Sequence, residues 1–128
     1  MREYMLIIRN RGDHPEKSLP EKNQEFLKKC EIYIRDLKNA GKLISAQPLE
    51  RQGKIISGSK GIWSDAPYNE PGEILVGYYH IFADDIDDAI AIAKRNPEFE
   101  YGTNARVEVR PIKTKEVSTG YVYPAQVK

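Results

Sequence analysis

The spacing of apolar residues along the chain switches between the strand period of two and the helix period of 3.6. β-branched and aromatic residues over Tyr4–Arg9 predict a first strand, and the polar run at 10–13 ends it. Apolar residues then recur at steps of three and four from Phe26 to Ala40. This spacing predicts a helix with one buried face, which ends at Gly41.

The middle of the chain has the pattern of strands. Lys42–Leu49 and Ile55–Trp63 predict two strands, joined by a polar turn at 50–53. The run "ILVGYYHIF" over Ile74–Phe82 is the most apolar stretch of the chain and does not alternate cleanly between apolar and polar residues. A strand that is apolar on both sides is covered on both sides. We therefore expect this strand to lie in the centre of a sheet.

The last third returns to the helix period and then to the strand period. Asp84–Arg95 predicts a second helix that stops before the proline at 97, because a residue that precedes proline is disfavoured in helical geometry. Arg106–Ile112 predicts a final strand with Val107 and Val109 on one side. The order β-α-β-β-β-α-β indicates an α+β fold, a ferredoxin-like split β-α-β with an extra hairpin.

This architecture places both helices on one face of the sheet and leaves the other face open. A second copy of the same sheet is the simplest cover for an apolar central strand, so we expect a homodimer with two sheets packed face to face. We assign residues 1–113 to the domain and residues 114–128 to a C-terminal extension. The apolar side chains of this extension predict that it adds an edge strand or wraps the partner.

Composition narrows the functional classes. The chain has 128 residues, enough for one domain, and its 20 basic and 19 acidic residues leave a formal charge of +1. Without a basic excess or a basic run, nucleic-acid binding through bulk charge is not expected. No apolar stretch approaches the ~20 residues that span a bilayer, and the N-terminus lacks the features of a signal peptide. One cysteine excludes an intramolecular disulfide, so a cytoplasmic protein is the expectation.

The segment "WSDAPYNEPGE", Trp63–Glu73, concentrates candidate chemistry. Asp65 is predicted to lie in a loop at a strand end, where it either acts on a ligand or bonds backbone amides to shape the turn. Glu70 and Glu73 flank the same turn, either as coupled carboxylates or as solvated loop acids.

The two histidines are further candidates. His80 is expected beside Tyr78 on one face of its strand, as a general base with a phenolic neighbour or as a residue of the sheet rim or dimer interface. His14 lies in a loop, either over a cleft or exposed to solvent. The catalytic hypothesis pairs Asp65 with His80. The ligand-binding hypothesis adds five residues, Trp63, Tyr68, Tyr78, His14 and Glu70.

Metal and cofactor chemistry is not expected. Neither histidine has a partner at metal-ligand spacing, and the acidic run "ADDIDD" at 83–88 is typical of a helix start that complements the helix dipole. The glycines lack the arrangement of a phosphate-binding loop. Cys30 falls on the apolar face of the first helix, where we expect a small hydrophobic residue of the core.

The segment that begins at Asp65 and ends at Tyr78 resembles a known family motif. Proteins of the DGPF subgroup of the YCII-related family carry the pattern D-G-P-F-x-E-x-K-E-x-L-x-G-Y. Seven residues match it at identical spacing, namely Asp65, Pro67, Glu70, Glu73, Leu75, Gly77 and Tyr78. Tyr68 stands for the phenylalanine, whereas Ala66 and Gly72 replace the glycine and the lysine. Collinear resemblance in "YMLIIRN", "AGKLISAQPL", "DDAIAIAKRNP" and "VEVRPI" extends it over roughly residues 3–113.

The resemblance implies a ferredoxin-like domain that pairs into a dimeric α+β barrel. Some YCII-like proteins have a proposed histidine–aspartate dyad, whose places fall at Cys30 and Asn96 here, so this chain lacks it. A few relatives are known or suspected to act on chlorinated or hydroxylated aromatic compounds. Two functions therefore stay open: an enzyme with a cavity for small, aromatic organic molecules, and a non-catalytic dimeric domain that binds a ligand or a protein.

Overall fold

A computed structural model describes residues 1–11, 19–68 and 72–124. These residues form six strands and three helices. In chain order the elements are β1 (Arg2–Asn10), α1 (Pro20–Asn39), β2 (Leu43–Pro48), β3 (Lys54–Ser59), β4 (Ile62–Pro67), β5 (Ile74–Ala83), α2 (Ile86–Lys94), α3 (Glu98–Tyr101) and β6 (Arg106–Pro111).

Four of the strands form the main sheet in the order β2-β5-β1-β6, with every neighbouring pair antiparallel. β1 and β5 are central, as the uninterrupted apolar run of β5 predicts. This strand order, with one helix between β1 and β2 and another between β5 and β6, is the ferredoxin-like arrangement. The predicted α+β class and split β-α-β topology are confirmed.

Alternation along β1 separates the two faces of this sheet. Tyr4, Leu6 and Ile8 are buried, whereas Met5 and Ile7 between them are half-buried. The buried set packs with residues of both helices into one core, so the helices cover the same face. That core comprises Tyr4, Leu6, Ile8, Tyr33, Leu37, Ile74, Val76, Tyr79, Ile81, Ala83, Ala89, Ile92 and Ala93. We call the opposite side, which carries Met5 and Ile7, the open face.

The ends of the helices follow from local sequence. Gly41, with φ of +73°, follows the C-cap of α1, and the bonds from Gly41 N–H to Lys38 O and from Lys42 N–H to Leu37 O form a Schellman motif. Asp85 caps α2 by accepting from the Asp88 N–H at 2.8 Å, which confirms the capping interpretation of the acidic run.

The prediction of one continuous strand over Ile55–Trp63 is wrong. It contains the turn of a second, two-stranded sheet, because Lys60 and Gly61 both have positive φ, 52° and 82°. A two-residue hairpin turn of type I′ requires that conformation. β3 and β4 therefore pair with each other, and we call them the hairpin. Asp65 consequently lies within strand β4, not in a loop at a strand end.

The other differences are smaller. Helix α2 begins at Ile86, two residues later than predicted, and the short helix α3 after Pro97 was not predicted. Residues of the C-terminal extension form an isolated bridge between Lys115 and Val122. That the extension adds an edge strand or wraps a partner subunit stays a prediction.

Candidate functional site

A cavity on the helix-covered side lies between α1 and the adjoining ends of β2 and β5. It has a volume of about 680 Å³ and contains the only cysteine of the chain, so we call it the Cys30 cavity. Its described lining residues are Ile8, Asn23, Phe26, Leu27, Cys30, Glu31, Ile34, Ala46, Gln47, Pro48, Leu49, Glu50, Val76, Gly77, Tyr78, Tyr79 and Glu98.

Helical periodicity builds one wall of this cavity. Phe26, Cys30 and Ile34 are spaced four residues apart, so they lie on one stripe of α1 that turns toward the sheet. The stripe continues into the core, where Tyr33 donates its hydroxyl hydrogen to the carbonyl of Ile92 at 2.6 Å. This bond ties α1 to α2 and holds the wall in place.

A glycine allows the opposite wall to close. Gly77 of β5 is buried, and a Cβ at this position would come within 2.8 Å of Gln47 O and 3.1 Å of Pro48 Cα. The end of β2 can therefore approach β5 only because residue 77 has no side chain. This close approach is the structural reason for a glycine at position 77.

Cys30 is a protonated thiol in this environment. Burial raises its pKa to about 12, and the carboxylates of Glu98 and Glu31 add to the effect. The thiolate is the nucleophilic form of cysteine, so a thiol with this pKa is unreactive near neutral pH. Burial also raises the pKa of Tyr79, with further contributions from Cys30, Tyr33 and Glu98. The cavity therefore disfavours the formation of new negative charge.

Glu98 reaches this cavity through the turn after α2. Asn96 accepts the N–H of Glu98 at 2.9 Å on its side-chain oxygen, at the start of α3. The carboxylate-bearing residue is only 6% exposed although it lines the cavity. The sequence predicted a helix stop at Asn96 and Pro97, and the family resemblance placed the dyad aspartate at Asn96, but neither pointed to Glu98. The signal that was available is the asparagine itself, because its side chain can accept the backbone N–H two residues later in an Asx turn.

The predicted residues of the acidic segment lie elsewhere. Asp65 and Trp63 are exposed on β4, where they line a shallow depression of about 620 Å³ with Ile56 and Ser64. Tyr68 is half-buried, and its hydroxyl accepts from the Leu75 N–H at 2.8 Å, so it fastens the end of the hairpin to β5. His14 and Glu70 lie outside the described residues.

His80 lies on the open face, as the strand alternation predicts. It is paired with Met5 of β1, and Tyr78 is paired with Ile7, so the two candidates share that face. The His80 Nε2 atom is 2.8 Å from Glu3 Oε1, and both side chains are largely buried. His80 and Asp65 belong to different sheets, the main sheet and the hairpin. Of the predicted ligand-binding residues, Tyr78 is among those that line the Cys30 cavity.

Within residues 1–11, 19–68 and 72–124, no group of three or more His, Cys, Asp or Glu side chains is placed to hold a metal ion. In the same part of the chain, no helix has the length and apolar character to cross a membrane.

The family model described as the YCII-related domain matches residues 2–113. This range covers the main sheet, all three helices and the hairpin. A search of curated proteins found no match.

Proposed function

The chain belongs to the YCII-related domain family, and from this premise we propose that it forms a homodimer that binds a small, mainly apolar organic molecule in the Cys30 cavity. The cavity itself carries the proposal. Its volume of about 680 Å³ lies inside the range of roughly 300–1,000 Å³ that is usual for small-molecule sites. Phe26, Leu27 and Ile34 supply apolar walls from α1, and Tyr79 supplies an aromatic one from β5.

Binding is better supported than catalysis at this cavity. The family's proposed histidine place holds Cys30, whose raised pKa keeps it protonated. The proposed aspartate place holds Asn96, whose side-chain oxygen accepts the N–H of Glu98. Neither residue supplies a general base. A ligand that fills the cavity would therefore be held by van der Waals contacts with the walls and by the removal of its apolar surface from water.

A thermal-shift assay tests this proposal with two matched variants. Phenol, indole and 2-phenylethanol are added to the wild-type chain, and binding to the folded state raises the melting temperature by mass action. Ala46 lines the cavity from β2, so Ala46→Phe should fill it and abolish the shift. Ala66 is exposed on the hairpin, so Ala66→Phe should leave the shift unchanged. An equal shift in both variants would refute binding in this cavity.

The open face supports the homodimer. Met5 and Ile7 are half-buried there, beside Tyr78, and an ion pair of Arg9 with Glu108 at 3.2 Å lies next to them. An apolar centre bordered by charge is typical of a protein interface. A second copy of this sheet would cover it.

Sedimentation equilibrium tests this assembly. The wild type should show twice the 14.7 kDa of one chain. Ile7→Gln should shift the equilibrium to the single chain and keep the circular dichroism spectrum, because Ile7 lies opposite the core. A wild type that sediments only as the single chain would exclude the dimer.

Acid–base catalysis at His80 is the second candidate function. The contact with Glu3 favours it, because a carboxylate on one ring nitrogen fixes the orientation of the imidazole. The predicted pairing with Asp65 has less support, since Asp65 is exposed on the hairpin. If the protein converts a compound that it binds, His80→Gln should lower kcat at least tenfold, whereas Asp65→Asn should leave kcat unchanged. A His80→Gln variant with the wild-type kcat would exclude His80 as the catalytic base.

A further inference from the structure

The hairpin is a two-stranded arm with both of its faces in solvent. Cross-strand partners lie on the same face of an antiparallel pair, and the register pairs Ile56 with Asp65 and Gly58 with Trp63. We call the face that these pairs form the Trp63 face, and it carries Lys54, Ile56, Gly58, Trp63, Asp65 and Pro67. The opposite face, which we call the serine face, carries Ile55, Ser57, Ser59, Ile62, Ser64 and Ala66. All of these residues are exposed.

The Trp63 face has the more continuous apolar surface of the two. Ile56 and Trp63 line one shallow depression, and Gly58 opposite Trp63 has no side chain to cover the indole. On the serine face, the hydroxyl pair of Ser57 and Ser64 lies between the two isoleucines and separates them. Tryptophan is among the residues that contribute most at the centres of protein interfaces. The Trp63 face is therefore the side suited to packing against another protein surface.

The dimensions of the open face indicate that a dimer needs more surface than this face supplies. Four strands give a width of about 19 Å, and the ladder of β1 with β6 gives a length of about 20 Å. Two copies packed through such faces bury on the order of 800 Å², below the roughly 1,200–2,000 Å² of stable interfaces. Two hairpin faces, each about 10 Å wide and about 20 Å long, add on the order of 800 Å² when each packs on the other copy. With the hairpins included, the interface reaches the size that stable dimers have.

The root of the hairpin adjoins the open face. Arg9 lies on the open face by the alternation of β1, and Leu75 is its cross-strand partner. The hydroxyl oxygen of Tyr68, at the end of the hairpin, accepts the N–H of Leu75 at 2.8 Å. Leu49, Tyr68 and Leu75 also line one depression together. A surface that covers the open face therefore continues to the root of the hairpin.

We propose that the hairpin is an interface arm of the homodimer, whose Trp63 face packs on the second copy of the chain and extends the contact of the open face. This packing removes the side chains of Ile56 and Trp63 from water, and their burial stabilises an arm that has little stability of its own. A two-fold interface repeats every contact, so each copy is held by its own arm and by that of its partner. This inference rests on the proposed homodimer and names the surface that completes its interface.

Fluorescence reports on the Trp63 face directly, because the chain has one tryptophan. Trp63 is 67% exposed in the single chain. At concentrations where sedimentation equilibrium shows the dimer, its emission should shift to the blue and its quenching by acrylamide should fall at least threefold. On dilution, the midpoint of this change should coincide with that of dissociation. Ile7→Gln, which shifts the equilibrium to the single chain, should keep the exposed emission at every concentration.

Two double variants in the same hairpin locate the contact. Ile56→Thr/Trp63→Thr removes the large apolar side chains of the Trp63 face and keeps strand-forming residues. The dissociation constant of its dimer should rise at least tenfold. Ile55→Thr/Ile62→Thr makes the matched change on the serine face and should raise the dissociation constant less than threefold. Both variants should keep the wild-type circular dichroism of the main domain, because the substituted side chains are exposed.

The outcomes distinguish this inference from the homodimer on which it rests. If the wild type sediments as a dimer and Ile7→Gln dissociates it, but Trp63 is quenched equally at all concentrations, the role of the hairpin is wrong and the homodimer stands. Equal weakening by the two double variants would overturn the assignment of the Trp63 face. A wild type that sediments only as the single chain contradicts both proposals.

Discussion

The main sheet and the hairpin are built from similar residues and have opposite environments. Ile81 in β5 is fully buried, whereas Ile62 in β4 is 79% exposed. Every described residue of β3 and β4 is exposed, including Ile56 and Trp63. The strand-forming tendency of β-branched and aromatic residues is satisfied in both places, but only the main sheet has helices to cover it.

The apolar residues of the hairpin therefore do not serve the core of the single chain. The hairpin is held by its own ladder, by the hydroxyl bond between Ser57 and Ser64 and by the tether from Tyr68 to Leu75. A two-stranded hairpin of this kind has little stability of its own in water. We expect its exposed isoleucines and Trp63 to contribute to assembly.

The largest contrast should come from the same truncation in the two regions. Ile81→Ala should lower the free energy of unfolding by about 3 kcal/mol, because it leaves a cavity in the core. Ile62→Ala should lower it by less than about 0.5 kcal/mol, since the side chain is already in solvent. Urea denaturation at a concentration where the chain is monomeric measures both. Similar losses would show that the hairpin belongs to the core.

Substitution of two glycines, one in the main sheet and one in the hairpin, tests the same difference in stability. Gly77→Ala should cost about 2 kcal/mol, because the added Cβ presses on the backbone of β2 across the main sheet. At Gly58 in β3 an added Cβ would meet Ile62 O at 2.0 Å, and its φ of +141° disfavours other residues. Gly58→Ala should open the hairpin locally and leave global unfolding within about 1 kcal/mol of wild type. Hydrogen exchange resolves local from global opening, and loss of the main-sheet protection in Gly58→Ala would contradict the separation.

The free energy of unfolding should also depend on alkaline pH through Cys30, which lies on the helix-covered side of the main sheet. The folded state holds the Cys30 proton up to a pKa of about 12, above its ordinary value of 9.0. The native state therefore binds more protons than the unfolded state between these values. The Cys30 contribution to stability is fully present below pH 9 and is lost as the pH rises toward 12. Comparison of wild type with Cys30→Ala at pH 8 and pH 10 should show a steeper loss in wild type, by about 1 kcal/mol. Parallel curves would contradict the buried thiol.

The smallest effect concerns the surface of the main domain. Hydrogen bonds from the Asp84 N–H and the Lys42 ammonium lower the pKa of Asp88. A lowered folded-state pKa contributes stability above the ordinary pKa that is lost as the pH falls through the folded value. Asp88→Asn should reduce stability at pH 7 by less than about 1 kcal/mol and flatten the acid limb below pH 4. An unchanged acid limb in thermal melts would show that the pair is too solvated to matter.

The amino-acid sequence predicted only part of the candidate site. The helical spacing placed Cys30 on the sheet-facing side of α1, where it lines the cavity. The predicted ligand-binding role of Tyr78 stays a prediction. Phe26, Tyr79 and Glu98 were not predicted as site residues. They come from α1, β5 and α3, and no local pattern reports that these three elements meet around one cavity.

Most helices and strands of the main domain, their ferredoxin-like order and the family can be recognised in the amino-acid sequence. Those properties depend on periodicity, caps and turn residues, which act over a few neighbouring positions. The exposure of Ile62, the burial of Ile81 and the meeting of Phe26, Tyr79 and Glu98 around one cavity are visible only in the folded chain. Burial and the lining of a cavity depend on residues that are distant in the sequence, so they exist only once the chain has folded.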